Sequence, residues 1–243
     1  MVVAPFLFQS KILHVDYLVL THPQADHMNG LRFIASHVQP KELWYNGYGV
    51  RNRSFTELMK IVEEKKIRKF LPSDLRSGRK ISGVQVELLH PSSVESKEQL
   101  LETSAGMNNK SLVLKLTYGG RSLLFPGDLE RAGEEVVISR AGSLLKSDIL
   151  LAPHHGSKYS CSTAFLEMVR PRICIISSGH GNYFGFPHSE TLKRLRAAGS
   201  QVVRIDQVGA VQLSLGPSRF DVSTFLEGPL KLRSGLYGDA DNR

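Results

Sequence analysis

Cysteine is scarce in this chain: Cys161 and Cys174 are the two among 243 residues. One precedes an expected helix and the other lies inside an expected strand. That spacing excludes a disulfide framework and a thiolate zinc site, and Cys174 reads as a core residue. Long apolar runs are also missing, since no stretch approaches the ~20 residues that cross a bilayer. The opening MVVAPFLFQSK has no basic leader and no small-residue cleavage site, so it is not a signal peptide. As written, the chain is expected to be soluble, unexported and cytoplasmic. No internal repeat, low-complexity tract or dense basic tail is present. Lys and Arg outnumber Asp and Glu by 31 to 23, a net charge of +8, which favours a polyanionic partner. The basic residues are scattered, so this charge supports a nucleic-acid partner only weakly.

What the chain does have is an ordinary globular balance, 41% hydrophobic and 22% charged, enough for one substantial core. Short apolar runs alternate with amphipathic stretches. Strands are expected at 14–21, 42–46, 84–90, 111–118, 147–155, 172–179, 201–205 and 209–215. Helices are expected at 29–38, 54–66, near 130–140, near 162–170 and from Ser189 to Ala198. Ser54 with Glu57 has the capping-box spacing. Gly119-Gly120 signals a hairpin into RSLLFPGD, and the strands around it are expected to pair antiparallel. The pattern argues α/β or α+β, with sheets covered by helices. One domain is expected over 1–216. Past Gly216 the periodicity fades, and 217–243 reads as a tail, partly disordered through SGLYGDADNR.

Four expected strands end in metal-competent side chains. YLVLT runs into His22, Asp26 and His27; SLLFPG ends at Asp128; DILLAP ends at His154 and His155; ICIISSG leads to His180 and then His188. Seven of the nine histidines follow strands. A His and Asp set without Cys suits Zn²⁺, Mn²⁺ or Fe. Simpler roles compete at some positions. Asp128 could cap a helix over 129–140, and His90, before Pro91, reads as a surface residue at a strand end. Two adjacent imidazoles before Gly156 have no structural reason to be histidine.

These residues resemble the metallo-β-lactamase superfamily, whose first motif is H-x-H-x-D-H after a strand, followed by a Gly-Asp turn and later histidines. VVAPFL, LTHPQADHMNG, NNKSLVLKL, LLFPGDLE, LLAPHHGSKYS and SSGHGNYFGFPH occur in the order found in the metallo-β-lactamase-like domain of ComEC-type DNA-internalization proteins. The resemblance runs from about Val2 to Leu215 and implies an αββα sandwich with a site for one or two divalent ions, Zn or Mn, at the sheet edge. It implies His22, Asp26, His27, Asp128 and His154 as metal ligands, with either His154 or His155 as the later histidine. Asp26, His155 and His188 are its catalytic residues, His188 being a ligand or a phosphate-contacting acid. Ser157, Asn182, Lys193 and Arg196 are candidate substrate contacts, the last two with Arg194 on a basic helix face.

The chain departs from the superfamily pattern at three places. Gln24 stands where the second histidine of the first motif belongs. The histidine ligand expected before the Gly-Asp turn has no counterpart, and MNNKS (107–111) occupies its region. The first strands and the membrane region of ComEC-type proteins do not precede Val2, so the chain is expected to be a fragment or a reduced homologue with an incomplete first sheet. In a ComEC-type parent it would lie at the outer face of the inner membrane beside the channel region. The leading functional expectation is a metal-dependent phosphodiesterase or nuclease acting on DNA during uptake. A non-catalytic DNA-binding or structural module is the competing class, and hydrolysis of another ester-type substrate, such as a lactone or thioester, is a third.

Overall fold

The computed structural model describes residues 3–91, 99–100, 104–216 and 220–230. Its first third is a parallel unit. Strand Tyr17–Leu20 pairs with Glu42–Tyr45, and this pairs with Arg68–Phe70, helices Ala25–His37 and Arg53–Glu64 making the crossovers. Glu42–Tyr45 is buried at every position; as the central strand it is covered on both faces, which is why ELWYN shows no alternation. Met28, Ile34, Phe55 and Leu58 from the helices pack on Leu18, Leu20, Leu43 and Tyr45. Trp44, with Tyr17, Val19 and Phe70 against it, faces the other way, toward a second sheet.

That second sheet has seven strands, in the order Gln201–Arg204, Ile173–Ile176, Ile149–Leu151, Arg121–Phe125, Val113–Tyr118, Val84–His90 and Arg79–Ile81. The first four run parallel and the remainder antiparallel. The hairpin expected at Gly119-Gly120 is present, with Tyr118 opposite Arg121. Both glycines have positive φ, as a two-residue turn of primed type requires. Helices Arg131–Ala141, Thr163–Val169 and Ser189–Ala197 bring Val137, Phe165, Leu166 and Leu195 onto Leu124, Leu150, Cys174 and Ile176. The layers are therefore helix, sheet, sheet, helix, the expected αββα arrangement. No helix among the described residues is long and apolar enough to cross a membrane.

Several local expectations are corrected. The first crossover helix begins at Ala25, so Asp26 and His27 sit in its first turn. Helix Arg53–Glu64 is capped by the Asn52 side chain, which accepts from the Phe55 N–H; Ser54 is inside the helix and accepts from Arg32. Asp128 caps nothing, since the helix after it starts at Arg131 behind Glu130. His90 is 4% exposed, its Nε2 donating to the Asn109 carbonyl. The chain past Gly216 is not simply a tail. Phe220–Thr224 pairs antiparallel with Val211–Leu215 and Gly228–Pro229 closes the sheet, with Phe220 and Val222 packed on Leu123, Ile149, Ile173 and Val203. The hairpin thus covers the part of the seven-stranded sheet that the three-stranded sheet leaves open. SGLYGDADNR lies outside the described residues.

Candidate metal centre

Both large sheets deliver side chains to one edge. The three-stranded sheet contributes the turn after Leu20 and the start of helix Ala25–His37. The seven-stranded sheet contributes Asp128 after Phe125 and the histidine pair after Leu151. The two edges are joined where the Leu112 N–H donates to the Thr21 carbonyl and Ser111 Oγ lies 3.3 Å from His22 Nδ1, and the loops of the seven-stranded sheet are tied to each other where the Asp128 N–H donates to Ser111 Oγ and the His154 N–H to the Gly127 carbonyl. Gly127 is required here. Its φ is +60°, and a Cβ would lie 2.5 Å from Ser111 Cβ.

Asp26, His27, Asp128 and His155 each present a ligand atom, and these atoms all lie within 4.8 Å of one another. His27 Nε2 is 3.2 Å from Asp128 Oδ1 and 3.7 Å from Asp26 Oδ2. His155 Nε2 is 3.3 Å from Asp26 Oδ2 and 3.7 Å from Asp128 Oδ2. His155 Nδ1 donates to the Ser177 carbonyl at 2.7 Å, which in the neutral ring fixes the proton there and turns the Nε2 lone pair into the cluster. Thr21 Oγ1 lies within hydrogen-bonding distance of Nδ1 of both His27 and His22. Without a cation the His155 ring pairs with Asp26 as an imidazolium, its Nε2–H donating, which holds the Asp26 carboxyl well below the usual carboxylate range and raises the His155 pKa against the effect of burial. Burial opposes ionisation of Asp128, but the neighbouring His27, His155 and His22 prevail and lower it. Both carboxylates are charged at neutral pH.

A divalent ion fits these residues. Asp128 Oδ2 is buried without a hydrogen-bond partner, and His27 Nε2 makes no well-formed hydrogen bond although it lies 3.2 Å from Asp128 Oδ1, a costly arrangement for polar atoms that have no cation to share. Two imidazoles and two carboxylates form a donor set suited to Zn²⁺ or Mn²⁺. His22 is fully buried beside the cluster but outside the four. Its Nε2 is 4.0 Å from Asp128 Oδ2, and burial, reinforced by His27, pushes its pKa down to about 4.

The structure separates the histidine pair, either of which was expected as the later histidine. His155 enters the cluster, while His154 turns its Nδ1 to within 3.2 Å of Glu130. Both have positive φ, and Gly156 follows at φ +82°, where a Cβ would meet Pro187 at 2.7 Å. Gln24 and the MNNKS stretch, where the resemblance leads one to expect further ligands, instead join a hydrogen-bond chain that the sequence did not disclose. Gln24 Nε2 donates to Asn108 Oδ1 at 2.7 Å, Asn108 Nδ2 donates to Glu130 Oε1 at 3.0 Å, and Glu130 faces His154. Asn108 lies in the MNNKS stretch and Glu130 two residues beyond Asp128.

Other candidates have structural duties. His188 caps helix Ser189–Ala197, its Nδ1 accepting from the Glu190 N–H. Ser157 is 2% exposed, and its Oγ accepts from the Tyr159 N–H. Asn182 spends its side chain on Gly179 and Phe186. Arg194 donates to the carbonyls of Lys158, Ser160 and Cys161, so of the basic helix face only Lys193 and Arg196 are exposed. His180 donates to the Asp206 carbonyl.

A sequence model of the Metallo-beta-lactamase superfamily matches residues 4–180. ComE operon protein 3 of Bacillus subtilis is 30% identical over 213 residues, 87% of this chain and 26% of the relative. Competence protein ComA of Neisseria gonorrhoeae is 30% identical over 214 residues, 88% of this chain and 27% of the relative. Both are ComEC-type competence proteins, and the chain spans about a quarter of the length of these relatives. Among solved structures, the metallo hydrolase Igni18 of Ignicoccus hospitalis aligns with a TM-score of 0.47 at 13% identity, covering 86% of this chain and 79% of that one. On its matched residues and the order of its motifs, the chain belongs to the metallo-β-lactamase superfamily.

Proposed function

We propose that this chain is a one-metal phosphodiesterase that hydrolyses DNA strands in competence-type uptake, working beside a ComEC-type membrane channel region at the outer face of the inner membrane. The observation that carries the reading is the cluster of Asp26, His27, Asp128 and His155, with two buried ligand atoms lacking well-formed hydrogen bonds. The competence relatives supply the DNA context. Zn²⁺ or Mn²⁺ would be held by these four residues and would supply Lewis acidity toward water and phosphate oxygens. Asp26, whose side chain is 56% exposed, lies at the mouth of the cluster and orients the attacking water by accepting its hydrogen bond. Asp128, almost fully buried, fixes His27 and His155 in ligating orientation. His154, facing Glu130, is in this reading the donor of a proton to the leaving oxygen. The Gln24–Asn108–Glu130 chain occupies the other ligand position, which favours one ion over two.

Titration calorimetry with Mn²⁺ and with Zn²⁺ should give one ion per wild-type chain. Asp128→Asn should lose that binding and also the Mn²⁺-dependent cleavage of labelled single-stranded DNA. The absence of Gln24-position and MNNKS ligands favours a second reading, a DNA-binding module without catalysis. Wild-type protein that takes up no metal and cuts nothing under added Mn²⁺ would establish it.

A further inference from the structure

We propose that the loop 179–186 carries a stacking platform for the bases of unpaired nucleic acid, making the site selective for single strands. The proposal rests on the phosphodiesterase reading for its substrate and adds the surface that would select it. Tyr183 is 97% exposed and Phe184 75% exposed. Isolated apolar side chains at the surface are common, but these two are not isolated. The Phe184 ring lies 5.7 Å from that of Phe186 with 20° between planes, and the Phe186 ring lies 6.4 Å from His155 with 26° between planes. Two rings, Phe186 and then the more exposed Phe184, therefore lead away from His155 of the cluster with small angles between successive planes, and Tyr183 meets Phe184 edge-on.

The loop is held in this shape by its own bonds. Asn182 Nδ2 donates to the carbonyls of Gly179 and Phe186, the Phe186 N–H donates to Asn182 Oδ1, and Gly181 and Gly185 supply positive φ. The rings are thus presented ready for a ligand rather than collapsed onto the core. An exposed flat π-face aligned with a hydrolytic site suits an unpaired base. Duplex bases are already stacked on each other and offer no face, whereas each stacked single-strand base contributes measurably to affinity regardless of sequence. The chain's charge of +8 suits the phosphate backbone that would accompany those bases. Tyr159, 57% exposed with Lys158 Nζ 4.9 Å over its ring, adds an exposed cation on the turn that carries His155.

The test is fluorescence anisotropy with a labelled oligothymidylate of about 12 nucleotides and a blunt duplex of equal length, in EDTA so that nothing is cut. The Tyr183→Ala/Phe184→Ala variant should bind the single strand at least about tenfold more weakly than wild type. Its duplex affinity should change little, and Phe184→Trp should retain the single-strand affinity. Both variants should melt as wild type does, since the replaced rings are at the surface. Unchanged single-strand affinity in the double variant, or an equal loss on duplex, would overturn the proposal. So would a loss confined to adhesion on anionic phospholipid vesicles, which would assign the rings to a membrane surface. Wild-type hydrolysis of bis(p-nitrophenyl) phosphate with Mn²⁺ reports the phosphodiesterase reading separately, because that diester has no nucleobase. An inert wild type with a single-strand defect in the variant would sink that reading and keep the platform.

Discussion

At the residue scale, His90 and His22 make the fold sensitive to mild acid. Burial pushes each to about pKa 4 from an ordinary 6.5. The unfolded chain therefore takes up protons from pH 6.5 downward that the folded chain refuses until about pH 4. Their contribution to stability is full above pH 6.5 and is lost as pH falls through that window, each at up to about 1.4 kcal/mol per pH unit. In EDTA, denaturant unfolding from pH 7 to 4.5 should show this slope, and His90→Gln should make it shallower by about one proton. A slope unaltered in that variant would remove His90 from the account. The sequence did not reveal this burial, because a histidine before a proline looks like a surface turn. Asp26, His27 and Asp128 were legible because each follows a strand in a motif with fixed spacing. Which of His154 and His155 enters the cluster was not. That choice depends on a left-handed turn and on the Ser177 carbonyl 22 residues away. The role of Gln24 likewise depends on Asn108, 84 residues on.

At the element scale, caps and crossovers place the site. Helix Ala25–His37 points its N-terminus at the cluster, so its dipole supports the Asp26 carboxylate in the first turn. Helix Arg53–Glu64 fixes the second crossover, and its cap is Asn52. Asn52→Ala should cost about 1 kcal/mol in urea unfolding, and Ser54→Ala clearly less; the reverse ranking would restore the capping box read from the sequence. That reading failed by two residues because Asn52 and Ser54 lie two positions apart and both are good N-cap residues. The strands were easier to find than their ends. Alternation reports which face is buried but not where pairing stops, so 147–155 shrinks to Ile149–Leu151 and releases the histidine pair into a turn. The strand after Gly216 was missed because its alternation of buried and more exposed residues spans only the five residues of Phe220–Thr224.

For the whole molecule, the layer order was readable from alternating element types, whereas the join between the two sheets was not. That join is polar. Glu42 is 3% exposed on the central strand of the three-stranded sheet and pairs with Arg79 from the edge of the seven-stranded sheet, with Arg68 and with the Trp44 indole N–H. Arg79 also lies over the rings of Tyr17, Trp44 and Phe70 at 5.7, 5.2 and 5.0 Å. Arg79→Ala should leave a buried carboxylate supported from one side and cost about 3 kcal/mol, measured by chemical denaturation. A loss under about 1 kcal/mol would show that Arg68 alone suffices. This pairing also lowers the number of basic residues free to meet a polyanion, since Arg68, Arg79 and Arg194 are all engaged within the protein.

The hydrogen-bond chain from Gln24 to Glu130 has an electrical consequence. With a single divalent ion, the two charged carboxylates Asp26 and Asp128 sum with it to zero and Glu130 at the end of the chain adds a negative charge, whereas a second ion would turn the centre positive. A centre without net positive charge exerts no long-range pull on a phosphodiester anion. Capture of the strand then falls to surfaces away from the ion, and affinity and hydrolysis become separable properties governed by different residues.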